Sequence, residues 1–316
     1  MGYKLAGYTV VGNCEIDPAM MRIYQKNNHP LHSYLMDIRD FAVLPDEKIP
    51  EELHNLDILD GSPPCSVFSM AGVREEAWNV EKKFREGQKK QRLDDLFLEF
   101  IKVAKRLQPK VVIAENVKGL INGKARGWVN QIIKAFDNAG YCVQIFCFNA
   151  ALLGVPQKRE RVFFIAHRKD LKYQKLRMNF RSKIITFSEV REENGKPLPE
   201  TNMYARLLKY RIKTDRDVSD INARVRKTKG GYTSSINHDD EPVNTITANG
   251  YCFRMCDGKL LTDRDIINCQ TFPQDYDFLD QNVQYVCGMS VPPVMMAKIS
   301  EQVDLQWFRT KGAANG

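Results

Sequence analysis

The sequence predicts an α/β fold in which an open, doubly wound sheet is joined to a smaller second domain. Apolar runs short enough to be buried strands end at Glu15, Gly61 and Glu115, and segments with helical periodicity lie between them. This alternation is typical of mainly parallel sheets with helices on both faces. From about residue 168 to 248 the alternation stops, which indicates a different domain there.

The first predicted strand, residues 8–15, ends in the carboxylate of Glu15. A helix over 18–28 follows it, and the next predicted strand, 32–36, ends at Asp37. In nucleotide-binding α/β folds an acid at a strand end binds ribose hydroxyls, so Glu15 is a candidate for that contact. A strand-end aspartate such as Asp37 is more often a helix cap.

A short apolar run at 56–59 predicts a buried strand that stops at Gly61-Ser-Pro-Pro-Cys65. Two consecutive prolines fix a rigid turn there. Because ligands bind at the carboxyl ends of strands in open α/β sheets, Cys65 is well placed to be a nucleophile. A small buried thiol is the alternative interpretation of Cys65 when the turn is taken by itself.

Further elements follow along the chain, after a polar stretch over 66–92 whose length is typical of a lid. Their predicted ranges are a helix over 93–107, a strand over 111–114, a helix over 127–138, strands over 142–148 and 162–166, and a helix over 290–308.

The composition narrows the class of protein. The 316 residues are 43% hydrophobic and carry a formal net charge of +8, and residues 168–235 contain 18 Lys and Arg against 8 Asp and Glu. A basic block of this kind favours a nucleic-acid partner over a plain solvated surface. The eight cysteines have neither zinc-finger spacing nor a disulfide pattern. We therefore expect a cytoplasmic protein with no metal and no membrane segment.

Five motifs in order resemble those of the DNA (cytosine-5)-methyltransferase family of bacterial and phage type. They are Pro64-Cys65, Glu115-Asn116-Val117, Gln157-Lys-Arg159-Glu-Arg161, Leu261-Thr-Asp-Arg-Asp265 through Gln270-Thr-Phe-Pro273, and Gly288-Met-Ser-Val-Pro292. The resemblance implies a Rossmann-like sheet that uses S-adenosyl-L-methionine. It also implies a catalytic domain of residues 1–168 completed by 249–316, with a target-recognition domain of residues 169–248.

The resemblance also implies roles for individual residues. Cys65 would be the nucleophile that attacks C6 of a flipped-out cytosine, Glu115 the acid–base group, and Arg159 and Arg161 the groups that stabilise charge. Asn116 and Gln157 would hold turns in place. The residues implied to contact the cofactor are Glu15, Ile16, Asp37, Ile38, Pro64, Leu96, Ser290 and Val291.

The sequence departs from the family pattern in two places. The strand and the Phe-x-Gly-x-Gly-Gly loop with which the family begins are expected to be missing, which would leave a gap in the sheet. Met289 also stands where the family usually has Asn. The expected partners are double-stranded DNA and a cognate restriction endonuclease. Two other functions stay open at this point: a catalytically impaired or split DNA-binding relative, and an RNA cytosine methyltransferase.

Overall fold

The computed structural model describes residues 1–63, 95–122, 126–227 and 234–309, and the chain packs as two compact units. The sheet unit comprises residues 9–148, 160–177 and 302–316. The second unit comprises residues 1–8, 149–159 and 178–301. Most of the predicted recognition segment lies in the second unit, together with residues that follow it in the chain. The domain boundaries given above remain a prediction.

The strands and helices of the described residues alternate through the first half of the chain. Strands β1 to β10 are Gly12–Glu15, His32–Leu35, Ile58–Gly61, Val111–Val117, Tyr141–Asn149, Gln157–Lys158, Glu160–Arg168, Ser234–Asn237, Val243–Asn244 and Tyr251–Arg254. Helices α1 to α11 are Gly2–Leu5, Pro18–Asn28, Ile38–Ala42, Glu51–His54, Leu96–Leu107, Arg126–Asn138, Met203–Leu208, Val218–Arg226, Asp263–Gln270, Val283–Met289 and Pro293–Val303.

A four-stranded sheet in the order β3-β4-β7-β5 forms the centre of the sheet unit. Strands β3 and β4 are parallel, whereas β7 runs antiparallel to β4. The apolar runs at 111–114 and 162–166 are fully buried, because helices or side chains cover both faces of these central strands. The sequence predicted both strands correctly, although each continues past its apolar run into polar residues.

Helices α5 and α6 pack against this sheet through one aromatic core. The buried face of α5 places Phe97 against Phe164 of β7, with ring centroids 5.2 Å apart, and against Phe136 of α6. Tyr141 closes the same cluster, and its hydroxyl donates a hydrogen bond of 2.9 Å to the carbonyl of Pro109. The polar end of the tyrosine is therefore satisfied inside an apolar core.

Strands β1 and β2 form a separate parallel pair in the sheet unit. One apolar cluster packs on both this pair and β3: Phe41 of α3 and Val103 of α5 share it with Cys14 of β1 and Leu59 of β3. Within the described residues, no strand pairs with the remaining edge of β1 or of β3. Among the described residues, β1-β2 and β3-β4-β7-β5 are therefore separate sheets.

The second unit contains short elements that the sequence did not predict. Helices α7 and α8 and strands β8 and β10 enclose a small core built around Leu207, Val218, Ile221 and Phe253. At the C-terminal end, the helix predicted over 290–308 is α11, which ends at Val303. The wider turn that follows it, Asp304–Phe308, belongs to the sheet unit. Helix α11 begins at Pro293 because a proline is favourable at a helix start and Ser290 is extended.

Among the described residues, no helix is long and apolar enough to cross a membrane.

The close approach of β3 to α5 gives the first testable prediction. A Cβ on Gly61 would lie 2.8 Å from Cδ2 of the buried Phe100 ring and closer still to its Cε2. Because a packed ring cannot move aside freely, Gly61→Ala should lower the free energy of unfolding by about 1–3 kcal/mol in urea denaturation. Gly127→Ala is the matched control, since no described atom lies within 4 Å of its Cβ position. It should leave stability unchanged or raise it by up to about 1 kcal/mol. Equal effects of the two changes would contradict the packing argument.

Candidate active site

Glu115 and Arg161 meet at the ends of two adjacent strands of the sheet unit. In the antiparallel pairing of β4 with β7, Val117 lies opposite Arg161, so Glu115 is the diagonal neighbour of Arg161 on the same face. The Nε atom of Arg161 lies 2.8 Å from Oε1 of Glu115, and the two side chains are 15% and 12% exposed. The pair is therefore mostly shielded from water. A charge-assisted hydrogen bond in such a place fixes the orientation of the carboxylate strongly.

Asn116 connects this strand end to the turn after β3. Its side-chain amide donates a 3.1 Å hydrogen bond to the carbonyl of Pro63, and its oxygen accepts one of 2.9 Å from the backbone N–H of Val117. This is the turn-holding role predicted for Asn116. Pro63 is the last described residue before the next gap, and both Pro64 and Cys65 lie outside the described residues.

The parallel strands β1 and β2 bring Glu15 and Asp37 to the same edge of the sheet unit. Oε1 of Glu15 accepts a 2.8 Å hydrogen bond from the backbone N–H of Asp17. Burial raises the pKa of the Glu15 carboxyl, and the backbone hydrogen bonds offset part of that effect. Ile16, the next residue, is 41% exposed, so an apolar side chain stands beside a partly desolvated carboxylate.

Asp37, Ile38 and Leu96 lie where two helices of the sheet unit begin. Asp37 caps α3 by accepting a 2.8 Å hydrogen bond from the backbone N–H of Arg39. The Arg39 guanidinium contacts Asp37 at 3.1 Å and Asp95, the residue before α5, at 2.5 Å. Ile38 is half-buried, and Leu96 is 6% exposed in the core. The capping interpretation of Asp37 is confirmed, and its cofactor contact remains a prediction.

The other predicted site residues belong to the second unit. Arg159 is 1% exposed and donates hydrogen bonds of 3.0 Å to the carbonyl of Ile246 and 2.8 Å to that of Gly288. The Ser290 hydroxyl, at the end of α10, donates a 2.7 Å hydrogen bond to the carbonyl of Val286. Val291 is half-buried. These two partners of Arg159 are backbone carbonyls, and such contacts are typical of a residue that positions chain segments.

Gln270 is a buried polar residue of the second unit to which the sequence analysis gave no role. Its amide pairs with that of Gln157, and both side chains are fully buried. Gln270 belongs to the Gln270-Thr-Phe-Pro273 motif, and its place in that motif is the signal in the sequence that points to it. Among the described residues there is no cluster of His, Cys, Asp and Glu that could hold a metal ion.

The comparison with family models decides the family. The model of the C-5 cytosine-specific DNA methylases matches residues 1–304. The chain belongs to this family. The resemblance drawn from the five motifs is thereby confirmed, and so is the enzyme class, DNA (cytosine-5)-methyltransferase. Members of the family use S-adenosylmethionine.

The relatives of this cytosine methylase include bacterial type II methyltransferases. It is 28% identical over 333 residues to the type II methyltransferase M1.HphI of Haemophilus parahaemolyticus, covering 96% of this chain and 82% of that one. It is 30% identical over 279 residues to the type II methyltransferase M.NgoFVII of Neisseria gonorrhoeae, and the match covers 78% of this chain and 69% of that one. With M.FnuDI of Fusobacterium nucleatum the identity is 36%, but the match covers less than half of that protein, 44%.

Solved structures support the fold of this methylase. A DNA modification methyltransferase described as putative and encoded in an Escherichia coli prophage superposes with a TM-score of 0.67 at 18% identity, covering 96% of this chain and 94% of that one. A variant of Spodoptera frugiperda DNMT2 superposes with a TM-score of 0.65 at 16% identity, and the match covers 96% of this chain and 95% of that one. At these identities the likeness concerns the α/β methyltransferase fold alone.

Proposed function

We propose that the protein transfers a methyl group from S-adenosylmethionine to C5 of a flipped-out cytosine within a short, specific sequence of double-stranded DNA. The observation that supports this most is the shielded Glu115–Arg161 pair, at 2.8 Å, in a member of the cytosine methylase family. A carboxyl group held in place by a permanent cation is suited to acid–base catalysis of an addition to a pyrimidine ring.

The chemical problem is that C5 of cytosine is a poor nucleophile. In the proposed mechanism the Cys65 thiolate adds to C6, while Glu115 shares a proton with N3 and binds the N4 amino group. Arg161 stabilises charge at O2 and holds Glu115 in place. After C5 has gained the methyl group, a base removes the C5 proton and the C6–S bond breaks, which returns Cys65 and leaves 5-methylcytosine.

The residues around Glu15 fit the cofactor. A partly desolvated carboxylate is suited to two ribose hydroxyls, and the exposed Ile16 side chain is suited to an adenine ring. Asp37, Ile38, Pro64 and Leu96 complete the proposed set in the sheet unit, and Ser290 and Val291 are proposed from the second unit. When bound, the cofactor supplies an electrophilic methyl group on sulfur.

DNA is the proposed partner of the basic segment. Residues 169–248 are the proposed target-recognition domain, since their excess of Lys and Arg would neutralise phosphates and release counterions. A cytosine inside a duplex cannot reach a pocket at a strand end, so the base has to leave the stack. A cognate restriction endonuclease remains a prediction, because relatives with phage orphan names occur beside the type II enzymes.

The proposal is tested by methyl transfer itself. The protein is incubated with unmethylated plasmid DNA and tritiated S-adenosylmethionine at millimolar concentration, and the DNA is digested to nucleosides. We expect label in 5-methylcytosine. Transfer RNA is the parallel substrate, because label in RNA alone would favour the RNA methyltransferase. Label in any other nucleoside of DNA would contradict the proposed chemistry.

The discontinuity in the sheet favours a second candidate, a catalytically impaired DNA-binding relative. Strand β1 carries the proposed ribose ligand, and within the described residues its remaining edge has no partner strand. The N–H and C=O groups on an unpaired strand edge have no ladder partners, so the backbone that carries Glu15 is held on one side only. This candidate predicts DNA binding with no methyl transfer at any cofactor concentration in the same assay.

A further inference from the structure

Gln157 and Gln270 form a buried relay of amide groups in the second unit. Nε2 of Gln157 donates to Oε1 of Gln270 at 2.5 Å and to the carbonyl of Cys269 at 3.4 Å. Nε2 of Gln270 donates in turn to the carbonyls of Cys287 at 2.6 Å and Ser290 at 2.9 Å. Both amides thus use both of their N–H groups, so the relay has one satisfied arrangement.

The relay ends at Ile246. The backbone N–H of Ile246 donates to Oε1 of Gln157 at 3.0 Å, and its carbonyl accepts the 3.0 Å hydrogen bond from Arg159. Both backbone groups of one residue are therefore held by side chains from a single short segment. Gly288 adds a steric constraint, because a Cβ there would lie 2.6 Å from Cα of Ala248 and closer still to the Thr247 carbonyl carbon.

Ile246 directly precedes a polar turn, Thr247–Gly250, on the surface of the second unit. This turn crosses the C-terminal end of the proposed target-recognition domain, residues 169–248. Thr247 and Asn249 are exposed, and Gly250 has a φ of 105°, which closes the turn. Gln284 of α10 holds the turn from outside by donating to the carbonyls of Thr247 at 3.2 Å and Gly250 at 2.8 Å. The turn is thus fixed from the core and from the neighbouring helix.

We propose that Gln157 and Gln270 are positioning residues which fix the Thr247–Gly250 turn for reading DNA bases and so control sequence selectivity. The proposal rests on the proposed function, in which DNA is the substrate. The Thr247 hydroxyl already donates to the carbonyl of Asn249, so it can accept a hydrogen bond from a base edge, and the Asn249 amide can both donate and accept. Such readout requires donors and acceptors held in one place. Binding to phosphates by long basic side chains does not require this precision.

The test separates sequence-specific from non-specific binding. The protein first selects duplexes from a random-sequence library, and dissociation constants are then measured by fluorescence anisotropy for a selected duplex and a shuffled one. Gln270→Glu and Gln157→Glu should lower the ratio of the two affinities at least tenfold, because a carboxylate lacks the N–H groups that the relay uses. Affinity for the shuffled duplex and its salt dependence should stay within twofold.

A second variant guards against loss of the fold. Gln284→Ala removes the outer contacts of the turn from a half-buried position, and it should lower the selectivity ratio in the same direction. Gln274→Glu, an exposed glutamine at the surface, is the matched control and should leave the ratio unchanged. An unchanged ratio in the relay variants, equal loss of both affinities, or no selectivity in the wild type would each overturn the proposal. Methyl transfer is not needed in any arm, so a chain that selects a sequence without methylating it contradicts only the proposed function.

Discussion

Replacing Cys65 with alanine should abolish the covalent complex that the protein forms with DNA containing 5-fluorocytosine. In the proposed mechanism the thiolate adds to C6 and the methyl group is transferred to C5. The fluorine that replaces the C5 hydrogen leaves no proton whose removal would release the sulfur. With millimolar S-adenosylmethionine, so that cofactor binding is not limiting, the wild type should give a band of the combined mass on a denaturing gel. The variant should give no such band.

Two cysteines provide the controls for this experiment. Cys142 is an exposed thiol, so Cys142→Ala tests whether a reactive surface cysteine traps the DNA. Cys269 is fully buried, and burial raises its pKa well above the ordinary value, which keeps it a thiol. Both variants should form the complex as the wild type does. A complex that persists in Cys65→Ala would remove Cys65 from the mechanism.

The sequence was most informative where physical pattern and family motif coincide. Val111–Ala114 and Val162–Ala166 are continuous apolar runs because both faces of β4 and β7 are buried, and the polar residues that follow or precede these runs are Glu115 and Arg161. The family motifs predict roles for Glu115 and Arg161. The pairing of β4 with β7 then places Nε of Arg161 2.8 Å from Oε1 of Glu115.

Arg159 illustrates what strand periodicity cannot predict. Alternation at 159 and 161 suggests two side chains on one face of a strand. The structure instead ends β6 at Lys158 and begins β7 at Glu160, so Arg159 lies at an interruption and binds carbonyls of the second unit. This one-residue interruption between β6 and β7 depends on the tertiary pairing of β6 with β9, which the local sequence does not encode.

The relay was unpredictable for a different reason. Gln157 and Gln270 are 113 residues apart, and a neutral amide has no charge or apolar period to mark it as buried. The short helices α7 and α8 were missed because their buried residues, such as Leu207 and Ile221, are few and stand in a segment dominated by charge. Tertiary packing overrides weak local preferences in such segments.

Glu115→Gln should lower kcat by about 10²–10⁴-fold, the range typical of removing a general acid–base group. Glutamine keeps the shape of the side chain and can still accept a hydrogen bond from Arg161, but it cannot share a proton with N3 of the cytosine. It also leaves the Arg161 guanidinium without its partner carboxylate at a site that is 15% exposed. Because a shielded charge loses its counter-ion, the free energy of unfolding should fall by about 1–3 kcal/mol. Methyl transfer at saturating DNA and cofactor, together with urea denaturation, measures the two effects.

A second glutamate on the same pair of strands supplies the matched comparison. Glu160 pairs with Lys118 at 2.8 Å, but its side chain is 46% exposed, so solvent screens the interaction. Glu160→Gln should therefore leave kcat within twofold and stability within about 0.5 kcal/mol. Arg161→Lys keeps a positive charge but loses the planar fork that orients the carboxylate, and it should reduce kcat while leaving more activity than Glu115→Gln. If Glu115→Gln and Glu160→Gln reduced kcat equally, the effect would come from sheet electrostatics, and Glu115 would not be the acid–base group.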